Sequence, residues 1–190
     1  MTLVFASNNQ NKIAEIQSML PANITILSLA DIGCNVNIPE TAATIEGNAI
    51  LKANYITENF GYDCFADDSG LEVAALNGAP GVHSARYAGL QRDDADNIRK
   101  LLAELEGKPD RSARFKTVIA LNANNAQHLF AGTIDGVITS EPKGNQGFGY
   151  DPVFRANEHS STFAELSMHE KAVISHRGKA VAQLIAFLKN

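Results

Sequence analysis

Strand-type and helix-type segments alternate along the first half of the chain, and this alternation limits the fold more than any other feature. Residues 1–6 are mostly apolar and are followed by polar turn residues and a helix pattern that reaches Leu20. A short strand pattern at 24–27 and a second helix pattern at 45–56 come next, and Gly61 follows that helix. The order predicts a sheet that is covered by helices.

The second half of the chain adds longer strands. A strand pattern leads through 65–66 into an acidic pair and resumes beyond it at 71–73. A helix is predicted from about 93 to 105, and two strands, about 113–122 and 129–138, are predicted to pair across an Asn-Asn turn. A last helix is predicted from about 175 to 188. The fold class is therefore α/β, or mixed α+β, with hairpins in its middle part.

Composition limits the class of protein. The 190 residues suit one buried core, so a single domain spanning 1–190 is expected. The formal net charge of −5 provides no basic field for nucleic acid, and no apolar run approaches the roughly 18 residues that a membrane span requires. The two cysteines, Cys34 and Cys64, have no C-x-x-C spacing and no secretory leader precedes them. We therefore expect a cytoplasmic protein without a nucleic-acid or membrane partner.

The first candidate site is the polar segment at 7–12, where the first strand ends and the first helix begins. A helix N-terminus presents unpaired N–H groups and a partial positive charge, and nearby hydroxyl, amide and ammonium groups add donors for phosphate. The segment lacks the glycine and lysine pattern of a P-loop. Ordinary helix capping is the alternative, because capping requires only one of these residues.

The second candidate site is the acidic pair Asp67 and Asp68, expected at the end of an apolar strand. Adjacent carboxylates repel each other and resist desolvation unless a cation or hydrogen-bond donors compensate. Mg²⁺ suits this role because it requires few protein carboxylates. The alternative is a solvated Asp-Ser-Gly turn. Glu40 and Glu46 are further candidate ligands or surface charges, and Lys52 either contacts phosphate or extends its amine to solvent.

The third candidate site is the glycine-rich segment at 144–149 and the residues that follow it. Glycines permit close approach of a ligand to the backbone, Phe148 offers a ring for stacking on a base, and Asp151 can accept hydrogen bonds from base or ribose. An ordinary glycine-rich hairpin loop would have the same pattern.

The fourth candidate site contains Lys171, His176 and Arg177, near the start of the last helix. Cations normally favour a helix C-terminus, so His176 and Arg177 in a first turn indicate a bound anion or an acceptor-rich ligand. A solvated basic turn is the alternative.

Taken in order along nearly the whole chain, these segments resemble the inosine/xanthosine triphosphate pyrophosphatases of the Ham1/RdgB family. The resemblance rests on seven segments: Ser7-x-Asn9-x-x-Lys12, Glu40-Thr41, Asn48-Ala49-x-x-Lys52-Ala53, Ala66-Asp67-Asp68-Ser69-Gly70-Leu71, Gly78-Ala79-Pro80-Gly81-Val82-x-Ser84-Ala85-Arg86-Tyr87, Gly147-Phe148-Gly149-Tyr150-Asp151-Pro152-Val153-Phe154 and Ser175-His176-Arg177-Gly178-Lys179-Ala180. It implies an elongated two-lobed fold with a central mixed sheet, a cleft between the lobes, and a homodimer.

The resemblance also implies roles for individual residues. Asp68 would be the catalytic proton acceptor and would bind Mg²⁺, supported by Glu40 and Asp67. The remaining implied roles are all contacts with the nucleotide, first with its triphosphate and then with its other parts: Ser7, Asn8, Asn9, Gln10, Asn11, Lys12 and Lys52 for the triphosphate, and Ser69, Phe148, Gly149, Tyr150, Asp151, Lys171, His176 and Arg177 for the rest.

The expected reaction is attack of water on the α-phosphorus of ITP, dITP or XTP, which releases pyrophosphate. Donors from His176, Arg177 or nearby backbone would match the 6-oxo group of these bases and mismatch the 6-amino group of adenine. Two alternatives stay open. A related pyrophosphatase of the Maf type would act mainly on pyrimidine nucleotides, although the segments at 148–151 and 175–177 argue against it. A nucleotide-binding sensor would require no acidic metal centre.

Overall fold

The computed structural model describes residues 1–189. This part of the chain contains six strands and five α-helices, whose bounds are β1 Thr2–Phe5, α1 Gln10–Met19, β2 Thr25–Leu27, α2 Ile45–Phe60, β3 Cys64–Val73, α3 Asp94–Glu104, β4 Ser112–Ala123, β5 Ala126–Ile138, β6 Phe154–Ala156, α4 Met168–Ile174 and α5 His176–Leu188. The predicted helices and strands are present. The structure adds β6 and α4, which had not been predicted as separate elements.

The strands form one mixed sheet in the order β2-β1-β3-β4-β5-β6. β1 pairs in parallel with β2 and with β3, because helices α1 and α2 provide the long connections that parallel pairing requires. β4 and β5 are joined by Asn124 and Asn125, whose φ angles of 52° and 60° suit a tight hairpin turn. β6 pairs antiparallel with β5. The predicted fold class, a mixed α/β sheet with flanking helices, is confirmed.

Local sequence signals explain where the helices begin and end. The side chains of Asn9, Thr44 and Asp93 accept backbone N–H groups at the starts of α1, α2 and α3. Ser167 and Glu170 form a capping box at the start of α4. Gly61, with φ 72°, ends α2 in the left-handed conformation that glycine adopts without strain.

The chain divides into two compact units, each with its own hydrophobic core. Unit 1 contains residues 1–68, 117–132 and 177 onward, and unit 2 contains 69–116 and 133–176. In unit 1, Phe5 stacks on Phe65 at a ring-centroid distance of 4.8 Å. In unit 2, the core includes buried aromatic and aliphatic side chains: Leu71, Leu101, Phe115, Tyr150, Phe154 and Phe163. Treating 1–190 as one domain stays a prediction.

β3 differs from its prediction. It continues without interruption from Cys64 to Val73, so Asp67 and Asp68 lie inside a strand rather than at its end, and the solvated turn is wrong. The strand can continue because both carboxylates find buried partners, as described below. Within residues 1–189, no helix is both long and apolar enough to cross a membrane.

Candidate active site

Asp67 and Asp68 each contact a different group of polar and charged side chains in unit 1. Consecutive residues of a strand point to opposite faces of the sheet, so the two carboxylates meet different partners. Asp67 contacts Lys12 and Arg177, whereas Asp68 contacts Asn48 and lies near Lys52. The two neighbouring acids therefore have different environments and are expected to have different tasks.

Asp67 lies in a buried ionic network. Lys12 Nζ donates to its Oδ1 at 3.1 Å, and Arg177 Nε and Nη2 each lie 3.4 Å from its Oδ2. Arg177 Nη1 donates to Glu15 Oε2 at 2.6 Å. Burial alone would raise the pKa of Asp67, but Lys12 and Arg177 hold that pKa well below its ordinary value. Asp67 is therefore ionised and holds two cations in place.

Asp68 has a contrasting environment. Asn48 Nδ2 donates to its Oδ2 at 3.2 Å, and Lys52 Nζ lies 3.8 Å from its Oδ1. Burial raises the pKa of Asp68 above its ordinary value, against the opposing effect of Lys52. A carboxylate with a raised pKa is a better proton acceptor near neutral pH. The role of Asp68 as the proton acceptor stays a prediction.

Lys52 connects the second group of charges. Its Nζ donates to Glu40 Oε1 at 2.8 Å and to the carbonyl oxygen of Asp67 at 2.7 Å. Burial would lower the pKa of Lys52, but the carboxylates of Asp68, Glu40 and Asp67 raise it. Lys52 is therefore a buried ammonium group rather than a lysine that extends its amine to solvent.

Asn48 and Glu15 are site residues to which the sequence analysis gave no role. Asn48 lies one turn before Lys52 on α2, and its Oδ1 accepts a hydrogen bond from the Ala42 amide at 2.9 Å. Glu15 lies three residues after Lys12 on α1 and is buried. Residues three or four apart share one face of a helix, so the spacings of Asn48 to Lys52 and of Lys12 to Glu15 were the sequence signal that could have identified them. Glu46 lies in the first turn of α2.

The segment at 7–12 begins α1 as predicted. Asn9 Oδ1 accepts the Lys12 amide at 3.1 Å, and Ser7 Oγ accepts the Asn9 amide at 3.2 Å, so capping is present. Three further side chains of the segment are exposed: Asn8, Gln10 and Asn11. Burial lowers the pKa of Lys12, against the opposing effect of Asp67. Phosphate binding by this segment stays a prediction.

The predicted metal ligands Glu40, Asp67 and Asp68 are not equivalent. Both oxygens of Asp67 face cations, while Glu40 and Asp68 each lie near Lys52. Among residues 1–189, no group of three or more His, Cys, Asp or Glu side chains forms a ready metal site. Glu40 and Asp68 nevertheless fit Mg²⁺, which binds through one or two carboxylates and completes its shell with water and phosphate oxygens. Asp67 as a metal ligand stays a prediction.

In unit 2, Asp151 organises the loop that contains Phe148. Its Oδ2 accepts hydrogen bonds from Lys171 Nζ at 2.6 Å and from the Phe148 amide at 2.9 Å. Lys171 Nζ also lies 4.9 Å from the centroid of the Phe148 ring. Phe148 itself is half-buried. The loop thus presents an aromatic ring beside an ion pair, which suits recognition of a flat heteroaromatic group.

Two other predicted nucleotide contacts, Tyr150 and His176, are more deeply buried than Phe148. The Tyr150 hydroxyl donates to the Ser84 carbonyl oxygen at 2.9 Å, and burial raises the pKa of Tyr150 far above its ordinary value. His176 stacks on Phe115 with ring centroids 4.5 Å apart. Ser69 is half-buried and follows Asp68 on β3. A nucleotide role for these three residues stays a prediction, and the Tyr150 hydroxyl already has a partner within the protein.

Arg177 has different partners from the bound anion that its position in the first turn of the last helix indicates. The structure instead places two of the protein's own carboxylates, Glu15 and Asp67, against the guanidinium group. The unfavourable interaction with the helix dipole is compensated internally, so it is not evidence for a ligand.

Comparisons with known proteins show the family of this chain. A sequence model of the Ham1 family matches residues 3–187 of the chain. The chain belongs to the Ham1 family. This Ham1-family chain is 67% identical over 190 residues, covering all of both chains, to a protein from Flavobacterium psychrophilum named dITP/XTP pyrophosphatase. It is 52% identical over 187 residues, covering 98% of this chain and 96% of the relative, to a protein of the same name from Porphyromonas gingivalis.

Solved structures of Ham1 proteins have the same fold. The Staphylococcus aureus Ham1 protein superimposes with a TM-score of 0.91 at 41% identity, covering 100% of this chain and 98% of that protein. A HAM1 protein from Coxiella burnetii also gives 0.91, at 44% identity with the same coverage. The family resemblance stated from the sequence is confirmed.

Gly147 permits a first test of the Asp151 loop in this Ham1-family chain. Its φ is 72°, and a Cβ at this position would overlap the carboxylate of Asp151. Gly147→Ala is expected to lower the free energy of unfolding by about 2–5 kcal/mol, from backbone strain plus overlap. Gly149→Ala is the matched control, because φ is 61° but no atom lies within 4 Å of the added Cβ. Its expected cost is about 1–2 kcal/mol. If denaturant titrations give the two variants equal losses of unfolding free energy, the expected overlap with Asp151 is contradicted.

Proposed function

We propose that this Ham1-family chain hydrolyses ITP, dITP and XTP to the nucleoside monophosphate and pyrophosphate. The observation that carries the proposal is the environment of Asp68, a buried carboxylate that accepts a hydrogen bond from Asn48 and lies 3.8 Å from the buried ammonium group of Lys52. The names of the relatives from Flavobacterium psychrophilum and Porphyromonas gingivalis support the substrate class. The family resemblance supports a cytoplasmic homodimer without a nucleic-acid partner as part of the same proposal.

The polyphosphate would be bound by residues of unit 1. Lys12 and Lys52 supply buried positive charge, and the polar residues at 7–11 precede or begin the first turn of α1, where backbone N–H groups are available. Phosphoryl chemistry requires mainly positioning and neutralisation of charge. A bound polyphosphate would replace carboxylates as the partner of these lysines, and Asp67 and Glu40 hold the lysines ready for it.

Mg²⁺ is the proposed cofactor, and Glu40 and Asp68 are the carboxylates that suit it. When bound, the ion would neutralise negative charge on the polyphosphate. Asp67 supports the centre by fixing Lys12 and Arg177. Asn48 fixes the orientation of Asp68 by donating to its Oδ2.

Asp68 would accept a proton from the attacking water. Its burial favours the protonated carboxyl, so the ionised form is a stronger base than an exposed aspartate. Lys52 opposes this effect, because its positive charge lowers the pKa of Asp68. In the balanced reaction, one water adds to the α-phosphorus, the bond from that phosphorus to the bridging oxygen breaks, and pyrophosphate leaves.

The base would be recognised by residues of unit 2. The half-buried ring of Phe148 offers a stacking surface, and Asp151 and Lys171 provide charged hydrogen-bonding groups beside it. His176 and backbone donors are proposed to recognise the 6-oxo group, and Arg177, which already contacts Glu15 and Asp67, stays a further candidate for this role. A buried mismatch with the 6-amino group of adenine can discriminate by about 10⁴-fold.

A product assay tests the proposal. The protein is incubated with ITP, XTP, dITP, GTP, ATP and UTP in the presence of Mg²⁺, and pyrophosphate and phosphate are quantified separately. We expect pyrophosphate from the first three nucleotides and little from ATP. Phosphate as the first product would contradict attack on the α-phosphorus. Preference for UTP would favour the Maf-type alternative, and tight binding of ITP without turnover would favour a sensor.

A further inference from the structure

The start of α3 contacts the loop that contains Phe148. Asp94 lies in the first turn of α3, and its Oδ2 accepts a hydrogen bond from the Gly149 amide at 2.7 Å. The two residues are 55 positions apart in the chain. This long-range contact between a carboxylate and a backbone amide attaches the loop to α3.

The same loop is fixed at its other end. The amides of Asn145 and Gln146 donate to the Ala164 carbonyl oxygen at 3.2 and 3.0 Å. Gly144 packs so closely on Ala164 that a Cβ would overlap its backbone. Phe148 therefore lies between two attachments, with Ala164 on one side and Asp94 on the other.

α3 is a rigid support for the second attachment. Asp93 caps the helix by accepting the Asp96 amide at 2.8 Å, and Leu101 is fully buried in the core of unit 2. The side chain of Asn97 donates to the Ala85 carbonyl at 3.2 Å and accepts the Ala88 amide at 2.7 Å. A contact to such a helix restricts the loop more than a contact to another loop would.

We propose that Asp94 is a positioning residue for base recognition, which acts by holding Gly149 and thereby fixing the ring of Phe148. The role rests on the proposed function, because it concerns the loop that would bind the base. Asp94 would not touch the reacting phosphate. Its loss should therefore weaken nucleotide binding with little change in turnover at saturating substrate.

Asp94 also has a purely structural contribution, since an acid in a first turn interacts favourably with the helix dipole. Asp96 occupies the same turn of α3 and contacts Gln91 and Arg99 instead of the loop. Asp96→Ala is therefore a matched control for the effect on the helix. Asp94→Asn is a conservative variant, because its amide oxygen can still accept from Gly149.

The experiment combines hydrogen exchange and kinetics on the full chain. In Asp94→Ala, amides of the loop at 144–149 should exchange about 10-fold faster without nucleotide, as expected for loss of a charge-assisted hydrogen bond. KM for ITP should rise by about 3- to 10-fold with kcat near the parent value. Asp94→Asn should recover most of both effects, and Asp96→Ala should show neither.

If the loop amides of Asp94→Ala exchange at the parent rate, Asp94 does not attach the loop. The same conclusion follows if Asp96→Ala speeds loop exchange as much as Asp94→Ala does. A fall in kcat with KM unchanged would overturn the positioning role. If the parent protein does not hydrolyse ITP, the proposed function fails, and the hydrogen-exchange comparison still decides whether Asp94 holds the loop.

Discussion

Asp68→Asn is expected to lower kcat for ITP by about 10²- to 10⁴-fold, the usual contribution of a general base, while the protein stays folded. The substitution keeps the size of the side chain and removes the group that accepts the proton. Burial raises the pKa of Asp68, so the ionised carboxylate is less favourable in the folded protein than in the unfolded chain. The neutral amide should therefore leave thermal stability unchanged or increase it.

The measurement pairs initial rates of pyrophosphate release with thermal unfolding of the same preparation. Glu72→Gln is the control, because Glu72 is a half-buried carboxylate on the same strand, β3, and has no proposed role in the site. Its activity should stay near the parent value. Full activity in Asp68→Asn would refute the proton-acceptor role. A variant that is both inactive and unfolded would show that Asp68 is required for the structure instead.

Local patterns in the sequence were sufficient to predict most of the fold. Capping residues such as Asn9 and Asp93 mark helix starts, and Gly61 marks a helix end. The separate helix α4 was missed, and Lys171, which lies inside it, was placed near the start of the last helix. Its capping box, Ser167 and Glu170, was the available local signal.

The interior position of the acidic pair on β3 could not be predicted from local sequence. Two adjacent carboxylates suit a buried strand only when cations reach them, and one of those cations, Arg177, is 110 residues away from Asp67. A local pattern contains no information about such a partner. For the same reason, the sequence could not show that the positive charge of Arg177 is balanced by Glu15 and Asp67.

Asp67 and Asp68 are adjacent, yet replacement by asparagine is expected to affect the stability of the folded protein differently at the two positions. Lys12 and Arg177 hold the pKa of Asp67 below its ordinary value, so the ionised carboxylate stabilises the folded protein. If Asp67 is removed, Arg177 stays charged, because a guanidinium group does not lose its proton in a protein. Lys12 can lose its proton more easily than Arg177, because burial lowers its pKa. Loss of Asp67 therefore leaves buried positive charge with less compensation.

Asp67→Asn is expected to lower the free energy of unfolding by about 3–5 kcal/mol, the usual cost of removing one partner of a buried ion pair. For a chain of this size, the melting temperature should fall by about 6–20 °C. Asp135→Asn is the matched control, because its ion pair with Arg114 is exposed on both sides and should contribute about 0–1 kcal/mol. Equal losses in denaturant titrations of the two variants would contradict the buried network.

The pH dependence of stability gives the same prediction a second readout. Because folding lowers the pKa of Asp67, the unfolded chain binds more protons at this carboxyl than the folded protein does between the two pKa values. The stabilisation is therefore fully present above the unfolded value of about 4 and is lost as the pH falls below it. Parent and Asp67→Asn proteins should converge in stability on acidification, since the parent loses the contribution that the variant already lacks. A constant difference from pH 7 down to pH 2 would mean that the cost comes from packing rather than from charge.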